Sequence, residues 1–285
     1  MIISNDWKDY QCLTTGDGEK VEKFGKIIVR RPDPEIIWPK DNNSLWNDYD
    51  AIYHRSSSGG GSWEYRKKIP DSWTISYKDL TFKISPTNFK HTGLFPEQAV
   101  NWDYIRERLN LSEKPSKVLN LFAYTGGATM AAASSNTIEV VHVDASRGMN
   151  EWAKENMQLN HLENKKIRFI TDDVMKFLDR EKRRERKYDA VIMDPPSYGR
   201  GPSGEVWRLE DNLGQLLEKV KVVLSPDFNF VLINCYTTGF SAISLYNLLK
   251  LTFPNYKIET GEIGLPVVDK DLILPCGIYG RITRD

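Results

Sequence analysis

From residue 115 onward, short apolar runs alternate with amphipathic stretches. Lys117-Val-Leu-Asn-Leu reads as a strand and 128–133 as a helix. Glu139-Val-Val-His-Val is a strand and 149–159 a helix, then Ile167-Arg-Phe-Ile a strand and 174–186 a helix. Tyr188-Asp-Ala-Val-Ile-Met and Asn229-Phe-Val-Leu-Ile-Asn are further strands, followed by helices at 209–224 and 243–251. Near-continuous apolar runs mark strands buried on both faces, and strand–helix alternation means a parallel sheet with helices on either side. Two last strand-like runs, 256–263 and 272–279, have no helix between them and predict an antiparallel addition at one edge. The expectation is an α/β fold around a seven-stranded, mostly parallel sheet.

Before residue 85 the texture differs, with Trp, Gly, Pro and Asp abundant and apolar runs short. Strand-like runs lie at 26–31 and 63–66, and 74–77 with 80–84 reads as a hairpin across Lys78-Asp79. This predicts a small strand-rich amino-terminal domain over 1–85 and a larger domain over 86–285. The Ser/Gly tract at 56–62 reads as a flexible loop in preference to a phosphate-binding one, because no Lys-Ser/Thr pair and no helix follows it. No internal repeat is visible.

Composition narrows the class without naming a partner. At 285 residues with 40% hydrophobic and 27% charged, the chain is an ordinary globular protein, large enough to need no disulfide or metal for stability. Basic and acidic residues balance at 39 each, so whole-chain charge neither advertises nor excludes nucleic acid. Cys12, Cys235 and Cys276 are far apart with no Cys-x-x-Cys pair, and the four histidines lack metal-ligand spacing. A reducing cytoplasm is the expected compartment, with no metal. There is no secretory leader pattern and no apolar run long enough to span a membrane.

In an open parallel sheet, ligands bind at the carboxyl ends of the strands. Phe122-Ala-Tyr124-Thr125-Gly126-Gly127 follows the first strand, and its glycines allow close backbone approach to a ligand. Asp144 ends the second strand, eighteen residues past Gly126, where a carboxylate can accept from both hydroxyls of a ribose. Asp172-Asp173-Val174 ends the third, placing an acceptor and an N–H where an adenine edge would sit. Each feature alone reads equally as a turn, a surface carboxylate or a helix cap. Together, in order, they indicate a nucleoside-bearing cofactor. The dinucleotide fingerprint needs a third glycine that is missing here, which disfavours a nicotinamide oxidoreductase and favours S-adenosylmethionine, a cofactor with no phosphate.

The fourth strand ends in Asp194-Pro195-Pro196-Ser197-Tyr198. Two prolines fix the backbone and remove two donors, leaving carbonyls and the Asp194 carboxylate as acceptors for an amine or amide edge. Tyr198 is placed to stack on a base, and an unpaired or flipped base suits this arrangement.

Asn120-Leu-Phe-Ala-Tyr-Thr-Gly-Gly, Val143-Asp144-Ala-Ser146, Asp172-Asp-Val and Asp194-Pro-Pro-Ser together resemble the successive motifs of class I S-adenosylmethionine-dependent methyltransferases, with their Rossmann-like sheet. The resemblance is to the bacterial branch that includes the large-subunit rRNA cytosine-5 and guanine-7 methyltransferases. Lys90-His-Thr92-Gly93-Leu-Phe95-Pro-Glu97-Gln98 is similar to that branch's segment over the cofactor, with His91 as a departure, and the similarity covers about 75–285. It implies that Phe122, Tyr124, Thr125 and Gly126 surround the methionine part, that Asp144 holds the ribose and Asp173 with Val174 the adenine, and that Asn120 and Ser146 are also among the cofactor-binding residues. It implies that Asp194 faces both the cofactor's amino group and the transfer site, and that Thr92 and Gln98 close the pocket. The amino-terminal RNA-binding domain of better-studied members is not evident ahead of residues 1–85.

The resemblance leaves the acceptor open. In the cytosine-5 branch a cysteine attacks the pyrimidine ring, and Cys235 follows the fifth strand at a fitting place. A cysteine ending a buried strand is also ordinary packing, in which case transfer goes directly to a nitrogen held by Asp194 and the Pro195 carbonyl. The basic stretch 176–187, with seven basic and three acidic residues, reads as a phosphate track or, more simply, a solvated helix face. Arg200 lies closer to the transfer site, in a Gly199-Arg-Gly-Pro-Ser-Gly segment that reads as a mobile loop. RNA, ribosomal first, is the expected substrate and partner. A small-molecule or protein acceptor and a non-catalytic RNA-binding role are the rivals, and a homodimer is among the allowed assemblies.

Overall fold

A computed structural model describes residues 1–56, 60–87 and 90–284. It divides into two compact units, Met1–Ala99 with Ile263–Cys276, and Val100–Glu262 with Gly277–Asp285. The change in sequence texture at 85 therefore precedes the compact division, and the smaller unit also takes a segment from near the chain's end.

The larger unit is built on the strands Ile167–Thr171, Thr137–Asp144, Ser116–Leu121, Ala190–Met193 and Phe230–Cys235, in that order, followed by the parts of Leu272–Thr283 and Lys257–Val267 that lie outside 263–276. The first five are parallel to their neighbours. Leu272–Thr283 runs antiparallel to Phe230–Cys235, with Ile233 opposite Gly280. This is the mostly parallel sheet with an antiparallel addition that the apolar pattern predicts, although Lys257–Val267 is not an edge strand, since its Val267 pairs with Cys12. Leu119, Leu121, Val191, Met193, Val231 and Ile233 pack one face against Phe177, Leu213, Leu216, Leu217 and Leu245 of the helices Val174–Arg183, Leu209–Val223 and Ala242–Thr252. Because strand side chains alternate, Asn120, His142 and Asn234 point to the opposite face.

Two helices depart from expectation. Ala99–Asn110 was not predicted, although Trp102, Ile105 and Leu109 recur at helical spacing and are all buried. The helix from Val174 ends at Arg183 rather than 186. Glu185 turns left-handed at φ 54°, and the Arg186 N–H reaches back to the Glu181 carbonyl at 3.0 Å, closing the last turn.

In the smaller unit, Tyr10–Gly16, Glu19–Phe24 and Ile27–Pro32 form an antiparallel meander. Ala51–Arg55 joins it in parallel, and Gly61–Tyr65 pairs antiparallel with that strand. Trp73–Tyr77 and Leu80–Ile84 form the expected hairpin, with Lys78 at φ 53° making the turn without a glycine. The Ser/Gly tract contains 57–59, which lie outside the described residues. No helix among the described residues is long and apolar enough to cross a membrane.

A buried ion pair ties the meander together. The Glu22 carboxylate is fully buried, accepts from Arg31 Nε at 2.8 Å and from the Tyr10 hydroxyl at 2.7 Å, and these partners hold its pKa below the usual range despite burial. Removing one member of such a pair leaves an uncompensated charge. Glu22→Ala should therefore destabilise this unit by about 3–5 kcal/mol, read as an earlier urea transition. An unchanged midpoint would show that Arg31 finds another partner.

Candidate active site

The loop after the first parallel strand is strained by design of its backbone. Phe122 and Tyr124 have φ of 53° and 51°, and Gly126 follows at 86°. Each non-glycine residue in that region costs roughly 1–2 kcal/mol. Four hydrogen bonds offset the strain. The Ala123 N–H donates to the Val143 carbonyl at 3.1 Å and the Gly126 N–H to the Ala123 carbonyl at 3.0 Å. The Tyr124 N–H donates to Asp144 Oδ2 at 2.8 Å, and Asn156 Nδ2 to the Thr125 carbonyl at 2.8 Å.

The two glycines are required for different reasons. A Cβ on Gly126 would sit 3.1 Å from Ala153 Cβ, besides the positive φ. A Cβ on Gly127 would meet the Trp102 indole at 2.8 Å. The helix Gly127–Ala133 starts at this contact.

Asp144 joins the next two loops. Its Oδ1 accepts from the Ser146 N–H at 2.8 Å, and its carbonyl accepts from the Asp172 N–H at 3.1 Å. Each carboxylate oxygen thus takes one backbone N–H and keeps a further lone pair, while burial pushes the pKa up. Ser146 caps the helix Arg147–Leu159. Asp173 Oδ1 accepts from the Lys176 N–H at 2.9 Å, so this carboxylate is a helix cap, with Val174 buried next to it. Asp172 pairs with Arg180.

Asn120 belongs to the strand beneath this loop. Its side chain is buried beneath the loop, donating to Thr129 Oγ1 at 2.9 Å, and that hydroxyl lies 2.8 Å from His142 Nδ1. The alternation that sends Leu119 and Leu121 to one helix layer turns Asn120 to the other. Burial drives His142 down to about 3, so the ring is neutral. His142, Asn156 and Trp102 were not singled out by sequence reasoning. Their one legible signal was polar or aromatic identity inside otherwise apolar periods.

On the facing side, the Asp194 N–H donates to the Leu121 carbonyl at 3.3 Å, so the transfer loop borders the first strand. Pro195 is buried. The Pro196 carbonyl accepts from Trp207 Nε1 at 2.6 Å, and the Trp207 ring lies 4.9 Å from that of Phe122. Trp207 is therefore a core residue that ties the two loops together. Ser197 Oγ lies 2.7 Å from Thr237 Oγ1, and Tyr198 is exposed. Of the 199–204 segment, Gly199 and Arg200 belong to an antiparallel hairpin, Tyr198–Arg200 against Val206–Arg208, whose second strand is anchored by buried Trp207. Cys235 is 1% exposed within the apolar core, where burial and then the Asp194 charge push its thiol pKa well up. Thr92 and Gln98 belong to the smaller unit. Thr92 is buried there and its carbonyl accepts from the Ser85 N–H at 3.1 Å. Among the described residues, no three His, Cys, Asp or Glu side chains gather as a metal site.

The family model for S-adenosylmethionine-dependent methyltransferases matches residues 51–244. The chain belongs to this family. A crystal structure of the SAM-dependent methyltransferase from Agrobacterium tumefaciens is 34% identical, with a TM-score of 0.94 over 100% of this chain and 93% of that one. The ribosomal RNA large subunit methyltransferase K/L of Syntrophotalea carbinolica is 30% identical over 198 residues, 70% of this chain and 26% of that protein. Its namesake in Colwellia psychrerythraea is 30% identical over 76% of this chain and 28% of the relative. The chain thus spans about a quarter of the length of these curated relatives. Family membership makes the protein an S-adenosylmethionine-dependent transferase and sets aside the nicotinamide alternative.

His142 makes the methyltransferase core acid-sensitive. Its folded value of about 3 lies below the unfolded 6.5, so its contribution is complete above pH 6.5 and is lost as pH falls toward 3. Between pH 7.5 and 5 this amounts to about 2 kcal/mol. Glu97, pushed up to about 7 by burial, acts in the opposite direction, so the difference between wild type and His142→Asn isolates the histidine. Urea titrations at the two pH values should show the variant losing about 2 kcal/mol less than wild type. Parallel pH profiles would mean that His142 titrates normally.

Proposed function

We propose that this methyltransferase transfers its methyl group to a nitrogen of a base in RNA, ribosomal RNA first. The observation carrying the reading is the set of backbone N–H groups that donate across the loops, Ala123 to the Val143 carbonyl, Tyr124 to the Asp144 carboxylate, Asp172 to the Asp144 carbonyl and Asp194 to the Leu121 carbonyl. It draws the loops after four successive strands into one site, and the spare lone pairs of Asp144 fit a ribose diol.

The residues present fit the cofactor. Asp144 holds the ribose with Ser146 beside it, and the free oxygen of Asp173 with the Val174 N–H takes the adenine edge. Phe122, Tyr124, Thr125 and Gly126 surround the methionine part, where the left-handed turns give the backbone its close approach. When bound, S-adenosylmethionine supplies an electrophilic methyl group on a sulfonium. Asp194 and the Pro195 carbonyl accept hydrogen bonds from the amine edge of the base, and Tyr198 stacks on its face. Asp194 takes up the proton displaced from the nitrogen. Positioning supplies most of the acceleration, because both reactants are fixed before they meet. Cys235 packs the core: a buried thiol with a raised pKa lacks the thiolate that attack on a pyrimidine needs. The relatives named as large-subunit rRNA methyltransferases support the choice of RNA.

The test is transfer of labelled methyl groups into RNA and protein from cells lacking the gene, followed by nucleoside digestion. Label is expected in a nitrogen-methylated base. Cys235→Ala should keep transfer within about threefold, and Asp194→Ala should lower it by roughly a hundredfold or more. Label in 5-methylcytosine together with a dead Cys235→Ala would overturn the nitrogen reading. Label confined to protein would overturn RNA as the substrate.

A further inference from the structure

The hairpin beyond the transfer loop has two unlike faces. Its register pairs Tyr198 with Arg208, Gly199 with Trp207 and Arg200 with Val206. Directly opposed residues share a face and alternate positions switch faces. Gly199 and Trp207 therefore face inward, and Trp207 is pinned by Pro196 and Phe122. Tyr198, Arg200, Val206 and Arg208 face outward, with Tyr198 53% and Val206 52% exposed and both arginines exposed.

The charge on this face is one-sided. Among the described residues, neither the Arg200 nor the Arg208 guanidinium forms an ion pair, whereas Glu205, the acid of this hairpin, pairs with Lys176 and accepts from the Ser203 N–H at 2.9 Å. So a chain with balanced charge holds two unpaired guanidinium groups around an exposed aromatic ring, four to fourteen residues past Asp194. Arg200 and Arg208 stand diagonally, roughly 7–8 Å apart across the pair. That spacing suits neighbouring phosphates on an extended strand. The hairpin is preorganised, since the Gly201 N–H closes its turn on the Glu205 carbonyl at 2.9 Å, so little ordering is lost on binding.

We propose that the outer face of this hairpin grips single-stranded RNA on either side of the methylated nucleotide, with Arg200 and Arg208 on its phosphates and the base between them stacked on Tyr198. The proposal rests on RNA being the substrate. A single strand is required because a ring can stack on a base only where that base is out of its duplex. Guanidinium groups suit the role through their forked donors, which match phosphate oxygens. The loose basic run at 176–187 is not needed for this grip, since three of its members, Lys176, Arg180 and Arg184, are spent on Glu205, Asp172 and Glu181.

The experiment uses a fluorescein-labelled unstructured RNA of about twelve nucleotides, a length within the usual single-strand site sizes. Anisotropy titrations of the full chain over a range of KCl concentrations give affinity and salt slope. Each phosphate contact on a single strand contributes about 0.7 to that slope, so R200A/R208A should flatten it by about 1.4 and weaken binding roughly tenfold. Tyr198→Ala should weaken binding by roughly fivefold or more without changing the slope. K114A/K165A is the control: it removes the same charge from exposed lysines ahead of the amino ends of the strands Ser116–Leu121 and Ile167–Thr171, away from the loops, and should leave the slope as it was. Binding of S-adenosylhomocysteine, measured by calorimetry, should be the same in all variants and reports that they fold. Wild-type slope and affinity in R200A/R208A, with RNA methylated by the wild type, would overturn the hairpin grip alone. Absence of RNA binding and RNA methylation by the wild type would overturn the RNA reading, and the grip with it. Loss of protein methylation in R200A/R208A, with RNA binding intact, would also overturn the grip and assign the face to a protein.

Discussion

The site depends on the Asp144 carboxylate, which accepts the Tyr124 N–H on one oxygen and the Ser146 N–H on the other, each at 2.8 Å. Without the first bond, the left-handed turns at Phe122 and Tyr124 would relax, because nothing in an isolated chain favours two such residues in three. Without the second, the start of the helix Arg147–Leu159 would drift from the strand before it. One side chain therefore sets the spacing of two loops. Backbone donors take only part of its acceptor capacity, which leaves the lone pairs that the proposed ribose contact would use. Its raised pKa follows from partial burial, the environment in which a further hydrogen bond is strongest.

Below the loop, polar groups replace what would ordinarily be apolar packing. Asn120, Thr129 and His142 form a chain with two short links, and Asn156 and Asn150 reach the Thr125 carbonyl and Thr171 hydroxyl. Such a network specifies one arrangement, since any slip would leave buried donors without acceptors. It has a consequence for pH, because a neutral buried imidazole is stable only where the unfolded chain is also unprotonated. On the other side of the first strand, Trp207 bridges the Phe122 ring and the Pro196 carbonyl, so the cofactor loop and the transfer loop share a brace. The same brace fixes the hairpin, turning a glycine-rich stretch into a presented surface.

Function follows from combining these two rigid loops with an exposed face. A methyl group moves only when donor and acceptor are held in line, and in the proposed reaction the acceptor would be held by the carbonyls and the carboxylate that the two prolines leave as the available groups. Under the proposed function, preference for RNA would come from outside that pocket. The net charge of the chain carries no such preference, whereas the local charge around Tyr198 does.

The strands and their mostly parallel arrangement were legible because apolar runs of strand length, separated by helical periods, point to a sheet covered on both faces, whereas the order of the strands came from the structure. The motif residues at successive strand ends were legible for the same reason: the sheet brings every carboxyl end to one edge. Tertiary structure alone decided which of them face outward. Asn120 sits within the motif, yet strand alternation turns it beneath the loop, and Asp173 is partly spent on its helix. Cys235 has the position of a nucleophile, and only its burial among core side chains shows a raised pKa. The helix Ala99–Asn110 and the hairpin at 198–208 were missed because their defining contacts, Trp102 on Gly127 and Trp207 on Phe122, join residues about 25 and 85 positions apart. Local pattern reports which side chains are apolar. It does not report which ring a glycine must make room for, and in this protein those long-range contacts shape the site.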